Sequence, residues 1–372
     1  MSFETSSLHS RRTALQLTGG AMAAGVASMM SRSPLRANAQ EAEEATPEEG
    51  ASQPDELGTK IEALLTAFPG THAYAFWAPP EGDRAAWATT LNGDLPMFVA
   101  SVFKLFVLTE YLRQAEADLD PTAEISLANQ LDARLGQEMS LDATVFSPGS
   151  GVFNPPNLTG LVTARTVLEA MIAHSDNTAT DMALLAVGPQ RVRELIAAQG
   201  LTQTRIPEST RQILAFAFGV PNWQTATWDE MMAAPEVDSA RLPPLLNDTI
   251  TSASTANELV AFLQSALQGD LFRYPETLTI YRAILAMPEI IPGIMPLGVN
   301  PFLMSGSITS PGENIQAVAG GMFVANRWVY FAVLNSWTAA EWGKLEEVQP
   351  IIWQAMKDAF TLIRDELPGW QR

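Results

Sequence analysis

The chain has 372 residues, 47% of them hydrophobic and 17% charged, a globular rather than a disordered composition. Its 41 acidic residues against 22 basic ones give a formal charge of -19, so its surface repels nucleic acid and anionic lipid. Cysteine is absent and histidine occurs three times, which excludes disulfides and argues against a zinc site; no metal and no cofactor are expected.

The first segment reads as an address. Ser10-Arg11-Arg12-Thr13-Ala14-Leu15 is similar to a twin-arginine export motif. A weakly apolar Gly/Ala-rich run follows, and then the small-x-small cleavage site Ala37-Asn38-Ala39. Residues 1–39 are therefore expected to be a removable leader. The run Thr13–Met30 contains Thr18, Gly19, Gly20, Gly25 and Ser28, too polar for a good membrane anchor. Loss of the leader, with four Arg and one Glu, leaves 18 basic and 40 acidic residues, or -22. Residues 40–53, rich in Glu, Ala and Pro, read as a solvated linker.

Beyond the linker, Leu57, Ile61, Leu64 and Leu65 predict a helix over Pro54–Phe68. Strands are predicted around Ala73–Ala78 and Ala85–Thr90, joined by Pro79-Pro80-Glu81-Gly82-Asp83. A helix apolar on every face then starts at Ser101. Helical patterns dominate residues 120–270, among them Thr163–His174, Thr178–Ala186 and Val192–Ala198, with a Pro/Gly/Asn-rich loop at Phe146–Leu158. Phe302–Thr309, Gln316–Val324 and Trp328–Ser336 read as strands, and a long helix over Ala339–Asp365 closes the chain. This order assembles a five-stranded antiparallel sheet from both ends of the chain, flanked by the terminal helices, with an all-helical block inserted: an α/β (α+β) fold. The expected division is 54–98 with 290–372 for the sheet part and 99–289 for the helical part, with a site in the cleft between them. Met171, Met182, Met287 and Met295 read as core filler.

One residue is out of place in this pattern. Lys104, one of four lysines in the chain, lies in the apolar run Ser101-Val102-Phe103-Lys104-Leu105-Phe106-Val107-Leu108. Desolvation and the positive end of the helix dipole both favour its neutral form, lowering its pKa toward that of a general base. Ser101 precedes it by three residues on the same helical face, so an activated serine nucleophile is the functional reading. The structural alternative, a cap serine and a snorkelling lysine, fits less well, since a cap serine prefers Glu three residues on. The second polar cluster is Ser175-Asp176-Asn177 at a break between helices. By itself it reads as a capping turn; as chemistry, Ser175 relays a proton to a leaving nitrogen and Asn177 bonds a substrate carbonyl or Lys104.

Together, Ser101-x-x-Lys104 and Ser175-Asp176-Asn177, in this element order, resemble the class A β-lactamases and related penicillin-binding proteins. The resemblance implies a β-lactamase/transpeptidase-like fold, Ser101 as the acylated nucleophile and Lys104 as the acylation base or its partner. It also implies Ser175 as proton shuttle and Asn177 as a substrate and lysine contact. On the family's Lys-Thr-Gly strand this chain reads Met304-Ser305-Gly306-Ser307. Ser305 and Gly306 match the hydroxyl and the glycine, and the amide of Ser307 would join that of Ser101 in an oxyanion hole. Met304 replaces the lysine, and Arg327 or Arg211 are the candidates to compensate. Where the family's deacylating loop reads Glu-x-x-Leu-Asn, this chain reads Arg211-Gln212-Ile213-Leu214-Ala215. Glu208 is the substitute carboxylate, with a solvated loop residue as its simpler reading. The segment Phe216–Leu246 is longer than the family usually has there.

The expected function is an exported serine hydrolase, periplasmic or extracellular, acting as a monomer on a small-molecule or peptide amide or ester, including β-lactams. Alternatives are an esterase, a peptidase or a slowly deacylating penicillin-binding-like protein. A further alternative is a silent binding module of the same fold. No nucleic-acid partner and no transmembrane anchor after processing are expected.

Overall fold

The computed structural model describes residues 56–155, 157–233, 244–310 and 312–367. The expected leader and linker lie outside the described residues. Leu57, Ile61 and Leu65 share the buried face of α1 (Glu56–Leu65), which leads into strands β1 (Thr71–Ala78) and β2 (Trp87–Leu91). A two-residue strand β3 (Met97–Phe98) is followed by a 3-10 turn over Ala100–Phe103 and by α2 (Lys104–Ala117). The helical stretch continues as α3 (Leu127–Leu135), β4 (Glu138–Leu141), β5 (Gly160–Thr163), α4 (Ala164–Ala173), α5 (Asn177–Val187) and α6 (Pro189–Ala198). Then come α7 (Thr210–Ala217), α8 (Trp228–Met232), β6 (Ala253–Ser254), α9 (Ala256–Gln268), α10 (Pro275–Leu285) and α11 (Ile291–Ile294). Strands β7 (Asn300–Thr309), β8 (Asn314–Val324) and β9 (Arg327–Trp337) precede α12 (Ala339–Trp342) and α13 (Leu345–Glu366).

The five-stranded sheet has the order β2-β1-β9-β8-β7 and is antiparallel throughout, as the sequence led us to expect. Its period-two alternation sorts side chains by size. Ala73, Ala75, Ala317, Ala319 and Ala332 lie on the face toward the helical block, where they let α9 approach with Leu259, Phe262 and Leu263. The opposite face carries Tyr74, Phe76, Met322, Phe331 and Val333, packed on α1 and on Ile352, Met356 and Phe360 of α13. Phe331 and Phe360 meet edge to face at 4.7 Å. Each such side chain contributes about 1.5–3 kcal/mol by leaving water, so the two clusters hold the sheet from both sides.

Three expectations need correction. Ser101 belongs to the 3-10 turn and not to the helix, which starts at Lys104. The closing helix is two helices: Gly343, at φ +105°, ends α12, and the Glu347 carboxylate accepts from the Lys344 amide at 3.0 Å to start α13. Met287 is 42% exposed and fills no core, whereas Met171, Met182 and Met295 are buried.

Candidate active site

The serine is placed by backbone contacts from three directions. β3 pairs with β6, the Val99 amide donates to the Ser252 carbonyl at 2.8 Å, and the Ser252 hydroxyl donates to the Ala100 carbonyl at 2.7 Å. Ala100 is held at φ +46°, a conformation that a residue with a Cβ adopts only when its surroundings impose it. From the other side, edge strand β7 presses Gly306 against the turn. A Cβ there would lie 2.4 Å from the Ser101 nitrogen and 2.8 Å from the Val99 carbonyl oxygen, so only glycine permits this approach. The Lys104 amide donates back to the Ser101 carbonyl, joining the turn to α2.

Ser101 is half-buried and opens into a cavity of about 60 Å³. Phe98, Ala100 and Phe103 form one part of its wall, Ile213 and Leu214 of α7 another, and Ile308 and Ser307 of β7 a third. Asn177 and Thr210 complete it. Ser307 is exposed and lies opposite Gln316, and Gly306 lies opposite Ala317. Ser305 is half-buried opposite Val318 and does not line this cavity.

Lys104 has no solvent exposure. Its ammonium donates to the Ser175 carbonyl at 2.6 Å, the Asn177 Oδ1 at 2.8 Å and the Ser175 hydroxyl at 3.2 Å. Burial pushes its pKa down to about 7, and the negative charges of Asp176 and Asp181 limit the fall. Two of the acceptors come from the sharp turn before α5, where Ser175 sits at φ +52°, and the third from Asn177, the first residue of α5. Asp176 holds that turn: its carboxylate accepts from Val152, Phe153 and Ala179 amides at 2.9–3.0 Å, and it caps α5. The capping role weighed for this motif therefore belongs to Asp176, while Ser175 and Asn177 turn to the lysine. Asn177 also donates to the Pro148 carbonyl at 2.8 Å, which fixes both ends of its amide.

Asp181 was missed in the sequence. It follows Asn177 by one helical turn, is buried, and accepts from the Thr210 and Arg211 amides at 2.6 and 3.1 Å. Burial pushes its carboxyl up to about 6, against the pull of those amides and of Lys104. It thus fastens the start of α7 to α5, and Thr210 adds a bond from its hydroxyl to the Asn177 carbonyl at 3.0 Å. The signal was available, since Asp181 stands among Met182, Ala183 and Leu184 as Lys104 stands among Leu105 and Phe106.

Several candidate residues lie elsewhere. Met304 is buried in the apolar cluster between sheet and helices. Arg327 closes the far end of the sheet, donating to the Ala78, Pro79 and Ala85 carbonyls. Val324 opposite Arg327 is five residues along β8 from Ala319 opposite Met304, about 17 Å at strand rise, so Arg327 does not replace the lysine. Arg211 is buried, its Nε without a partner, and does not line the cavity. The exposed Glu208 accepts from Arg193 at 2.6 Å, the solvated loop role. Among the described residues no carboxylate lines the Ser101 cavity, and no group of three or more His, Asp or Glu is placed to hold a metal. The long segment after α7 lies partly outside the described residues.

Comparison with known proteins shows the fold and the family. No curated protein sequence matches the chain. Among solved structures, a β-lactamase from Sphaerobacter thermophilus superposes with a TM-score of 0.59 at 18% identity, covering 84% of this chain and 96% of that one. The TLA-3 extended-spectrum β-lactamase gives 0.60 at 15% identity, covering 84% and 98%. PBP-A gives 0.56 at 17% identity, covering 82% and 94%. These identities establish a shared fold. The model of the β-lactamase enzyme family matches residues 56–300, most of the described chain, and the protein belongs to that family.

Proposed function

We propose that the protein is a serine hydrolase that forms an acyl-enzyme on Ser101. The observation that carries this reading is the solvent-free amine of Lys104, bonded to Ser175 and Asn177, in a residue whose backbone amide bonds the Ser101 carbonyl. With a pKa of about 7, a large share of that amine is neutral at neutral pH and accepts the Ser101 proton. The Ser175 hydroxyl, 3.2 Å from the amine, passes a proton on to the leaving group. The amides of Ser101 and Ser307 receive the oxyanion, with Gly306 allowing the two backbones to meet. Ser305, half-buried on β7 and outside the cavity lining, would meet only the part of a substrate that extends beyond the cavity.

Deacylation is the slow half of the cycle. No carboxylate among the described residues lines the cavity to activate water, and Glu208 is engaged by Arg193. This supports penicillin-binding-like behaviour over efficient β-lactam turnover. A solved acyl-enzyme of the PBP-A L158E mutant with penicillin G shows such an adduct in a protein of this fold. The leader expected over residues 1–39 supports action outside the cytoplasmic membrane, and no described helix is long and apolar enough to cross one.

Intact-mass measurement after incubation with a small alkyl fluorophosphonate tests the reading. One adduct per chain, absent in Ser101→Ala, is expected. No adduct on the folded wild-type protein would leave the silent binding module as the better account.

A further inference from the structure

A second concave site opens on the sheet face toward the helical block, and the strand register builds it. Asn300, Phe323 and Trp328 stand opposite one another on β7, β8 and β9, and Phe302 lies in the next row on the same face, opposite Gly321. Phe302 and Phe323 each meet Trp328 at 5.5 Å between ring centres. Arg282 of α10 and Ile291 of α11 close the other side. The pocket measures about 490 Å³, within the range of about 300–1,000 Å³ in which small ligands are held. It shares no lining residue with the Ser101 cavity. Phe302 is four residues from Gly306 along β7, about 13 Å at strand rise, and buried Met304 lies between them.

Arg282 is the one charged group in the lining. Its guanidinium lies over the Trp328 ring, 5.1 Å from the centre. Its Nε donates to the Leu267 carbonyl at 3.0 Å, and one terminal nitrogen donates to the same oxygen. Among the described residues the other terminal nitrogen has no partner, and no carboxylate pairs with Arg282. Burial lowers the pKa of this guanidinium, as expected of a cation held partly out of water without a counter-ion. An anion entering the pocket would supply the missing charge and accept from the free N–H groups. Behind it stand three half-buried aromatic rings, against which a flat ring gains edge and face contacts beyond its buried area.

We propose that this pocket binds small planar aromatic carboxylates, with the carboxylate on the free nitrogen of Arg282 and the ring among Phe302, Phe323 and Trp328. Asn300, exposed at the rim with its side-chain amide unpartnered, adds a second donor to the carboxylate. Binding here needs no chemistry at Ser101.

The test is isothermal titration calorimetry with 2-naphthoate, its primary amide and the fully saturated acid, at about 0.15 M salt to screen the negative field of the chain. The wild-type protein is expected to bind 2-naphthoate with a Kd below about 1 mM, and the amide and the saturated acid about 10-fold or more weakly. Arg282→Met, which keeps an apolar stem beside Trp328, should weaken 2-naphthoate about 10-fold or more and leave the amide unchanged. Ala286→Glu, an exposed change at the end of α10 that sets a carboxylate at the rim, should weaken 2-naphthoate in the same way. It decides the matter if Arg282→Met fails to fold. Ser101→Ala should bind as the wild type does. A weaker Kd in the wild type, equal affinity for acid and amide, or an affinity that neither pocket variant changes would overturn the site. Equal affinity for the saturated acid would overturn the aromatic requirement. Loss of binding in Ser101→Ala would put the ligand in the Ser101 cleft and overturn the site as well.

Discussion

At position 104 an amine without solvent contact meets three oxygens and two nearby carboxylates, and its protonation is the quantity on which the proposed chemistry turns. Replacing it with methionine, which fills a similar volume, removes the base and leaves the packing. Lys104→Met is expected to remain folded by circular dichroism while fluorophosphonate labelling slows about 10²–10⁴-fold, the usual worth of a positioned general base. In the wild-type protein the labelling rate should rise with pH through about 7 and level off above it, as the amine loses its proton. Asp181 holds the amine's pKa up by its charge, so Asp181→Asn should move that inflection toward lower pH, a displacement that a purely structural role would not produce. The same pair makes stability depend on pH. Between about 7 and 10.5 the unfolded chain binds the lysine proton more than the folded one, so stability rises with pH there. Between 3.8 and about 6 the folded chain holds the Asp181 proton more, so stability falls as pH rises. The pair therefore contributes least between about 6 and 7, and thermal melts of the wild type against a Lys104→Met/Asp181→Asn double variant should differ most unfavourably for the wild type in that window.

At the scale of elements, the site is where a 3-10 turn, the start of α5, the start of α7 and an edge strand converge. Gly306 decides how closely the strand comes. A methyl at that position would fall 2.4 Å from the Ser101 nitrogen, where backbone and not a flexible side chain must yield. Gly306→Ala is expected to cut labelling of Ser101 at least 10-fold and to lower the melting temperature; labelling at the wild-type rate would mean that the strand does not set the oxyanion geometry. Elements with a strong period were legible in the sequence. β1, β8 and β9 are buried on both faces and β7 is an edge strand, and each strand lies within two residues of its expected bounds. By contrast α1, with one apolar stripe, ends at Leu65, three residues before the expected Phe68. The break at Gly343 was not legible, because hydrophobic spacing continues across it and only the backbone at φ +105° ends the helix.

For the molecule as a whole, a charge of -19 sets the approach of substrates. Burst rates with an anionic ester should rise with added salt as repulsion is screened, and rates with a neutral ester should stay flat between about 0.01 and 0.15 M, over which the Debye length falls from about 30 to 8 Å. Equal salt dependence for both esters would show that a local cation outweighs the field of the whole chain. The architecture followed from element order and hydrophobic period, because two terminal strand groups around a helical insert leave few ways to cover both faces of one sheet. The burial of Lys104 and its meeting with the Ser175-Asp176-Asn177 turn were also legible as a candidate site, since a charged residue in an apolar run is visible without coordinates. The tertiary structure alone decided the rest. It showed that Asn177 is bound at both ends, that Asp181 ties α7 to α5, and that Arg327 and Glu208 are occupied elsewhere. The physical reason is that those roles depend on which hydrogen-bond partners arrive from segments far along the chain, and no local spacing encodes that.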